Sequence, residues 1–277
     1  MTTDTQSPEA RMWGQPGTAY DGISFGLADT IAHTVQALWP REGAFILDIG
    51  TGTGWAARLA AWRGARVTGI DIAPGMIAAA KSLSEGITPR PHFQEAAAEA
   101  LPFEDASFDG VISTYGIIFS AAPQKAIAEL ARVTRPGGRL ALATWADAPE
   151  GYIAGFFGLL GEWSDAPPPP ASPFDWGRPD WLQQAFGGTF RIEARAQETT
   201  LYAPDVETVW HEYVTGFGPV AATHAALPDD RKRFMRPGEP ISARTFRAAF
   251  EAFHRAYETG LGLAIPRPAL VIRGVRT

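Results

Sequence analysis

A glycine-rich turn between a short apolar run and an alanine-rich stretch constrains this chain more than any other feature. Residues 45–49, Phe-Ile-Leu-Asp-Ile, have the composition of a buried strand, and residues 50–54 read Gly-Thr-Gly-Thr-Gly. Residues 55–63 have helical composition, and Gly64 stands where helices commonly stop. Glycine lets the backbone turn sharply and approach a ligand, and the next helix start offers free N–H groups. The turn therefore predicts a strand–turn–helix unit that holds a ligand.

Strands and helices alternate through the rest of the first half. Residues 66–70, 109–113 and 140–144 are predicted as strands, and residues 74–83 and 123–134 as helices. Such alternation produces right-handed crossovers and parallel pairing. We therefore predict an α/β fold with a doubly wound, mostly parallel, seven-stranded sheet.

The second half has a different pattern. Residues 190–202 and 269–275 are predicted as the last two strands of the sheet, and residues 205–260 are mostly helical in pattern. The chain is accordingly divided into three parts: an N-terminal helical lid (1–40), a ligand-binding core (41–145), and cap insertions with the last two strands (146–277).

Composition and charge exclude several classes of protein. The formal net charge is −6, whereas nucleic-acid binders usually carry a basic footprint. The dense basic run at residues 231–233 follows Asp229 and Asp230 and is interpreted as solvated. Cysteine is absent, which excludes thiolate catalysis. The start has no signal-peptide pattern and no apolar stretch is long enough for a membrane span, so we expect a cytoplasmic protein that binds neither nucleic acid nor membrane.

An acidic residue after the second strand favours a nucleotide-like ligand. Asp71 lies 71 − 50 = 21 residues after Gly50, where a carboxylate typically accepts the hydroxyls of an adenosine ribose. The dinucleotide fingerprint Gly-x-Gly-x-x-Gly/Ala is broken by Trp55, which would block close packing of the helix on the strand. An NAD-binding oxidoreductase is therefore the weaker alternative.

Four motifs in this chain resemble those of the Rossmann-like, class I S-adenosylmethionine-dependent methyltransferases. The resemblance is to the branch acting on small molecules, quinones and sterols. The matching motifs lie at residues 46–54, 67–76, 97–109 and 129–140. The resemblance implies a Rossmann-like sheet, S-adenosylmethionine as cofactor, and in-line methyl transfer to a small, apolar or aromatic acceptor. A non-catalytic cofactor-binding protein of the same fold stays open, because a fold does not determine a function.

The resemblance also implies which residues surround the methionine part of the cofactor. Asp48 would brace the glycine loop, and Tyr20 in the N-terminal lid would cover the cofactor. The loop and the end of the next strand would supply the other contacts, from Gly50, Thr51, Gly52, Gly54, Ser113 and Thr114.

A second implied group holds the adenosine. Asp71 would accept the ribose hydroxyls, Ile72 and Met76 would enclose the adenine, and Ala98 would donate its backbone N–H to a ring nitrogen.

One position departs from the family. Its members often carry Asp where this chain has Ala97, and an alanine side chain cannot receive the adenine amino group. Glu95, Glu99 or a water molecule is expected to take its place, and the segment from Ala97 to Glu99 is included among the cofactor-binding residues.

A general base is needed if the acceptor is a hydroxyl, and histidine is the commonest group for that task. His211, with aromatic neighbours in the predicted cap, is the first candidate for a catalytic residue, and Tyr115, just after the strand at 109–113, is the alternative. The five histidines show no metal-ligand spacing, so no metal ion is expected.

Overall fold

The predicted strands assemble into one central sheet in the computed structural model, which describes residues 6–164, 168–227, 234–236 and 239–277. Within these ranges, the seven principal strands are β1 (Phe45–Ile49), β2 (Arg66–Asp71), β3 (His92–Glu95), β4 (Phe108–Thr114), β5 (Thr134–Trp145), β6 (Phe190–Ala203) and β7 (Gly262–Arg276). Their order across the sheet is β3-β2-β1-β4-β5-β7-β6.

The pairing directions agree with the prediction. β1 to β5 pair in parallel, whereas β7 runs antiparallel to both β5 and β6. A two-residue strand, Glu258–Thr259, pairs with the start of β7, and Phe234–Arg236 pairs with Glu239–Pro240 apart from the sheet. The predicted α/β fold with a doubly wound, mostly parallel sheet is confirmed.

Helices follow the strands in the expected alternation. In the described ranges they are α1 (Pro8–Gly14), α2 (Tyr20–Phe25), α3 (Ala28–Leu38), α4 (Trp55–Trp62), α5 (Pro74–Leu83), α6 (Pro123–Val133), α7 (Tyr152–Trp163), α8 (Pro179–Phe186), α9 (Val206–Gly216), α10 (Gly218–Ala226) and α11 (Ala243–Arg255). Short 3₁₀ turns occur at Gly17–Ala19, Ile117–Phe119 and Pro173–Gly177. The strand order reverses between β1 and β4, and ligands bind to such sheets in the crevice at this switch point.

The centre of the sheet is apolar on both faces, which explains why the sequence pattern located its strands. Residues 111–112 of β4 and 140–143 of β5 are fully buried. A strand that is covered on both faces of the sheet has a continuous run of apolar residues in its sequence, rather than alternating apolar and polar residues.

Two strands are longer than the sequence pattern indicated. β5 begins at Thr134, before the Pro136-Gly137-Gly138 triplet, rather than at Leu140, and β7 begins at Gly262 rather than Ala269. The backbone continues through the triplet because Gly137 adopts a positive φ of 74° and the pairing with β4 shifts register there.

The lid, core and cap ranges share one hydrophobic cluster, so the division at residues 40 and 145 stays a prediction. The basic run at 231–233 lies outside the described residues. Across the described ranges, we find no helix with the length and apolar character that crossing a membrane requires.

Aromatic side chains form the interior of the cap. Phe156 of α7 meets Tyr213 of α9 and Phe250 of α11 edge to face, and it contacts the tilted ring of Phe217 between α9 and α10, with ring centroids 5.4 to 6.0 Å apart. Such edge-to-face pairs add to the stabilisation that burial provides. The cap helices therefore form an apolar layer that is continuous with the sheet core.

A buried histidine lies within this aromatic layer. Nδ1 of His254 donates to the Phe250 carbonyl oxygen over 2.7 Å, so Nε2 is the acceptor for the Tyr152 hydroxyl at 2.9 Å. Burial lowers the pKa of His254 from 6.5 to about 4. The imidazole is therefore held neutral.

We expect this histidine to make the fold acid-sensitive. Because the unfolded state binds the proton more tightly, the free energy of unfolding falls as the pH decreases from about 6.5 towards 4. Between pH 7.5 and pH 5 the wild type should lose about 2 kcal/mol more than a His254→Gln variant. Urea unfolding at both pH values measures this, with exposed His211→Gln as the control. Equal losses in the wild type and in His254→Gln would contradict the assignment.

Candidate functional site

The turn after β1 is built from glycines in left-handed conformations. Gly50, Gly52 and Gly54 have φ angles of +62°, +54° and +86°. A Cβ atom at Gly50 would lie 2.7 Å from the Cα atom of Gly116, which follows β4. Glycine is required there both for the φ angle and for the close approach of the two strand ends.

Two carboxylates hold this turn in place. Oδ2 of Asp48 accepts a hydrogen bond from Thr51 Oγ1 at 2.7 Å. Asp71, at the end of β2, accepts from the backbone N–H of Gly52 and of Ala73, both at 3.0 Å. The conformation of the glycine loop therefore depends on acidic side chains from two neighbouring strands.

Burial disfavours the charge on both carboxylates. It raises the pKa of Asp48 to about 7 against the stabilising bond from Thr51, and it raises the pKa of Asp71 against the bonds from Ala73 and Gly52. Oδ1 of Asp48 is buried, and no described residue gives it a hydrogen bond. A ligand that brings positive charge or hydroxyl donors would offset this cost.

A cavity of about 450 Å³ opens beside the loop, at the carboxyl ends of β1, β2 and β4. Most of the residues expected to bind the cofactor line it: Tyr20, Gly50, Thr51, Gly52, Asp71, Ile72, Met76, Ala98, Glu99 and Thr114. The structure thus brings together residues that lie up to about a hundred positions apart in the sequence.

Four other expected cofactor-binding residues are not among those that line the cavity: Asp48, Gly54, Ala97 and Ser113. The Ser113 hydroxyl is fully buried, donates to the Ile49 carbonyl at 2.6 Å and accepts from Ile117 N–H at 3.0 Å. Gly54 faces the ring of Phe93. Ser113 therefore supports the wall by joining the ends of β1 and β4, and it leaves Thr114 to face the cavity.

The structure does not bring His211 to this site. Its side chain is 63% exposed on α9 and lies 3.6 Å from Glu207 one turn earlier. An imidazole on the solvent face of a helix is outside hydrogen-bonding reach of a group in the cavity, so the geometry gives no support to its selection as a general base.

Tyr115 does line the cavity, but its hydroxyl is unsuited to accept a proton. The ring packs against Trp145 at an interplanar angle of 31°, with centroids 4.2 Å apart, and within the described chain the buried hydroxyl has no hydrogen-bond partner. Burial raises the pKa of this hydroxyl well above its ordinary value. Its left-handed backbone, with φ at +59°, marks a strained position at the end of β4.

The lid covers one side of the cavity with aromatic rings. Trp13 contacts Tyr20, Phe119 and Phe217, with centroids 5.0 to 6.4 Å apart. The Tyr20 ring lies above the loop, with Cε1 3.8 Å from the position of a Cβ at Gly52. The cavity is therefore bounded by the glycine loop below and by aromatic side chains above.

Trp55, the residue that breaks the dinucleotide fingerprint, fastens the lid. Its indole N–H donates to Asp21 Oδ1 at 2.7 Å, and Arg58 approaches the same oxygen at 3.2 Å. Close contacts of Gly75 with Gly14 also join α5 to α1. The bulky residue at this position thus connects the first helix after the loop to the N-terminal segment.

Sequence reasoning missed several residues of the cavity wall. Ser24 of α2, Leu27 between α2 and α3, and Ile31 of α3 line it, and Ile117 and Phe119 line it after β4. Leu27 and Ile31 are spaced by four residues, but this is the same signal that core-facing residues produce.

A metal site is not found among the residues that the structure describes. No group of three or more His, Asp or Glu side chains lies close enough together there to hold an ion.

Comparisons with known proteins identify the family. A family model described as a methyltransferase domain matches residues 47–142. An uncharacterized protein of Mycobacterium tuberculosis is 30% identical over 197 residues, covering 68% of this chain and 69% of that protein. The demethylmenaquinone methyltransferase of Thermus thermophilus is 44% identical over 117 residues, covering 42% of this chain and 51% of the relative.

A solved structure shares the fold. The YcgJ protein from Bacillus subtilis superposes with a TM-score of 0.58 at 20% identity, covering 89% of this chain and 97% of that chain. The family model and the relatives show that the chain belongs to the class I S-adenosylmethionine-dependent methyltransferases, a family whose cofactor is S-adenosylmethionine. This decides against the NAD-binding alternative. The chain spans about half the length of several curated relatives that it matches, 53% for another M. tuberculosis protein.

Two glycines of the loop should respond differently to the same substitution. Gly50→Ala places a methyl group against the Gly116 backbone at an unfavourable φ, so we expect it to lower the free energy of unfolding by roughly 3 kcal/mol or more. Gly52→Ala has space around the new carbon and should cost only about 1 to 2 kcal/mol. It should nevertheless abolish the rise in melting temperature that S-adenosylhomocysteine causes in the wild type. A normal ligand-induced rise in Gly52→Ala would show that the loop does not face the cofactor.

Proposed function

We propose that this methyltransferase modifies a small, apolar or aromatic acceptor that binds beside the cofactor in the same cavity. The observation that carries this proposal is the composition of the wall facing the glycine loop. It includes aromatic and aliphatic side chains from the lid and from the segment after β4: Trp13, Tyr20, Leu27, Ile31, Tyr115, Ile117 and Phe119. The charged residues that line the cavity elsewhere are Glu9, Asp71, Glu99 and Lys125. Apolar walls with few polar groups are typical of sites for flat or lipophilic ligands.

The residues present fit S-adenosylmethionine in a defined orientation. In this proposal, Asp71 accepts the ribose hydroxyls with the lone pairs that its two backbone bonds leave available. Ile72 and Met76 enclose the adenine, and the Ala98 backbone N–H meets a ring nitrogen. The methionine part follows the loop at Gly50 and Gly52. At Gly52 the absence of a Cβ leaves room between the loop and the Tyr20 ring, and Asp48 braces the loop through Thr51.

The proposed mechanism relies on positioning and on exclusion of water. When bound, the cofactor supplies the electrophilic methyl group. The Tyr20 ring and the glycine loop hold the cofactor from two sides, and Trp13 and Phe119 exclude water from the acceptor end. Such alignment can lower a barrier by several kcal/mol without a proton-transfer group.

The side chains of the wall also bear on the nature of the acceptor atom. Burial raises the pKa of both cavity tyrosines, so their hydroxyls stay protonated at neutral pH and neither supplies a general base. This supports an acceptor that needs no general base, such as an amine or an activated ring carbon. A quinone-type ring is a candidate because the T. thermophilus relative is named as a demethylmenaquinone methyltransferase.

A substrate panel tests the acceptor class. We expect release of S-adenosylhomocysteine with reduced demethylmenaquinone or with small aromatic acceptors, and none with peptides or short oligonucleotides. Phe119→Ala should raise KM for the active compound at least tenfold, because an aromatic contact with the acceptor is lost. Phe45→Ala, at an exposed aromatic residue outside the cavity, is the matched control. Turnover confined to peptides would refute an apolar small-molecule acceptor.

The ribose contact can be tested separately by binding. Asp71→Asn keeps the size of the side chain but removes its charge, and two charge-assisted hydrogen bonds contribute ~1.5–3 kcal/mol each. We expect the affinity for S-adenosylhomocysteine in calorimetry to fall on the order of 100-fold. Asp180→Asn, on the surface, should leave it unchanged. Because Asp71 also holds the loop, the melting temperature without ligand should fall moderately. An unchanged affinity would refute the ribose assignment.

A further inference from the structure

One arginine is buried at the edge of the sheet where the cavity lies. Arg267 stands in β7 two residues before Ala269, the first residue of β7 that pairs with β5, and its side chain is 4% exposed. Because β5 ends at this pairing, Arg267 lies at the carboxyl edge of the parallel strands. Within the described residues, no carboxylate forms an ion pair with it. A buried charge without a counter-ion opposes folding, so this one requires an explanation.

A hydrogen bond to the lid explains only part of this side chain. Nη2 of Arg267 donates to the carbonyl oxygen of Gly26, the residue at which α2 ends. Arginines commonly bind carbonyl groups at helix ends, so this bond is structural. Nε is also buried, and it has no hydrogen-bond partner among the described residues. Because a guanidinium group carries N–H donors and no acceptor, the partner that Nε lacks is an acceptor.

The hydroxyl of Tyr115 is a second buried donor without a partner in the described ranges. The Tyr115 ring lines the cavity and packs against Trp145, which pairs with Ala269. Trp145 and Arg267 point to the same face of the sheet, because paired residues share a face and so do residues two apart on one strand. Burial raises the pKa of Tyr115, and the positive charge of Arg267 acts in the opposite direction. The two donors therefore belong to one region beside the cavity.

The carboxylates of this region do not neutralise the arginine. Oδ1 of Asp29 accepts from the hydroxyls of Thr30 at 3.2 Å and of Thr199 at 2.8 Å. Thr199 is the residue of β6 that pairs with Arg267. Glu212 of α9 has a pKa that burial raises and the Arg267 charge lowers, but it forms no ion pair among the described residues. Positive charge is thus left in excess at the two unpartnered donors.

We propose that Arg267 and Tyr115 form an anion subsite beside the apolar wall of the cavity, which receives an ionised oxygen of the methyl acceptor. This inference rests on the proposed function, in which the acceptor binds in that cavity. Two donors, one of them cationic, are complementary to an oxygen that is negatively charged and accepts two hydrogen bonds. Because both donor atoms are buried near the end of α2, the oxygen enters as the junction between α2 and α3 moves aside.

The subsite also accounts for the lack of a general base in the cavity wall. An acceptor hydroxyl that binds in its ionised form has released its proton to the solvent before the methyl group is transferred. A nearby cation favours that form. A phenolate and an aromatic carboxylate share this chemistry, and the experiment below separates them.

Matched aromatic probes test the subsite in the protein saturated with S-adenosylhomocysteine. This thioether lacks the sulfonium charge, so a preference for an anion reports on the protein. The anionic probes are 4-nitrophenolate and benzoate, and their neutral counterparts are 4-nitroanisole and benzamide. In calorimetry we expect at least one anion to bind at least tenfold more tightly than its counterpart. The pair with the larger preference identifies the oxygen as that of a phenolate or of a carboxylate.

Two other outcomes contradict the inference in different ways. Equal affinities within both pairs would overturn the anion subsite and leave the proposed acceptor cavity standing. Absence of binding by all four probes would overturn the acceptor cavity and the subsite together.

The charge of Arg267 has its own readout, because 4-nitrophenolate absorbs visible light and the neutral phenol does not. Beside a buried cation the pKa of the bound probe falls, so we expect the wild type to increase its acid dissociation constant about tenfold. Arg267→Met should abolish this increase and the preference for anions, whereas Arg267→Lys keeps the charge and should retain part of both. Arg273→Met, at a half-exposed arginine of β7, is the control. Wild-type behaviour in Arg267→Met would overturn the assignment.

Tyr115→Phe distinguishes a ligand contact from a structural one and does not disturb the bond to Gly26. Because the hydroxyl has no partner within the described residues, its removal should leave the melting temperature unchanged or raise it. It should reduce the affinity for the anionic probe severalfold and leave that for the neutral probe as it is. Tyr202→Phe, at a 74% exposed tyrosine of β6, should change neither. A lower melting temperature with unchanged anion affinity would show that the hydroxyl bonds within the fold, and the assignment would fall.

Discussion

The close passage of two strand ends is the constraint on which this site depends. The backbone after β1 and the backbone after β4 approach so closely at Gly50 and Gly116 that neither position has room for a Cβ atom. This contact lies at the switch point of the sheet, where the strand order reverses. The crevice lies beside this contact, on the cavity side. The buried hydroxyl of Ser113 stabilises the same junction, because its two hydrogen bonds join the ends of β1 and β4.

The electrostatic cost of the site is concentrated beneath the cavity. Asp48 and Asp71 are held in surroundings that disfavour their charge, and Asp48 keeps one buried oxygen without a hydrogen bond from any residue in the described ranges. Folding tolerates this because backbone N–H groups and Thr51 satisfy the remaining oxygens. A cationic cofactor relieves the cost, so the same carboxylates that shape the loop also favour the ligand.

Much of the fold could be predicted because its strands and helices have local signals. The strand at 45–49 and the helix at 74–83 were predicted with the bounds that the structure shows. The start of β5 was not, because it depends on a register shift against β4 that no local pattern records. In the site, the loop glycines and Asp71 could be recognised from spacing, whereas Arg267 stands far from any motif and becomes relevant only through its position beside the lid.

The sequence by itself determined the alternation of elements, the left-handed turn and the acid at the end of β2, because these follow from residue type and spacing along the chain. The tertiary structure alone decided which polar side chains face the cavity. Chain position suggested His211, but α9 is oriented so that this side chain faces solvent. Ser113 and Thr114 are neighbours in β4, and because side chains alternate along a strand, Ser113 is buried whereas Thr114 lines the cavity. The direction in which a side chain points relative to the cavity depends on how distant segments pack together, so it cannot be deduced from the neighbouring residues in the sequence.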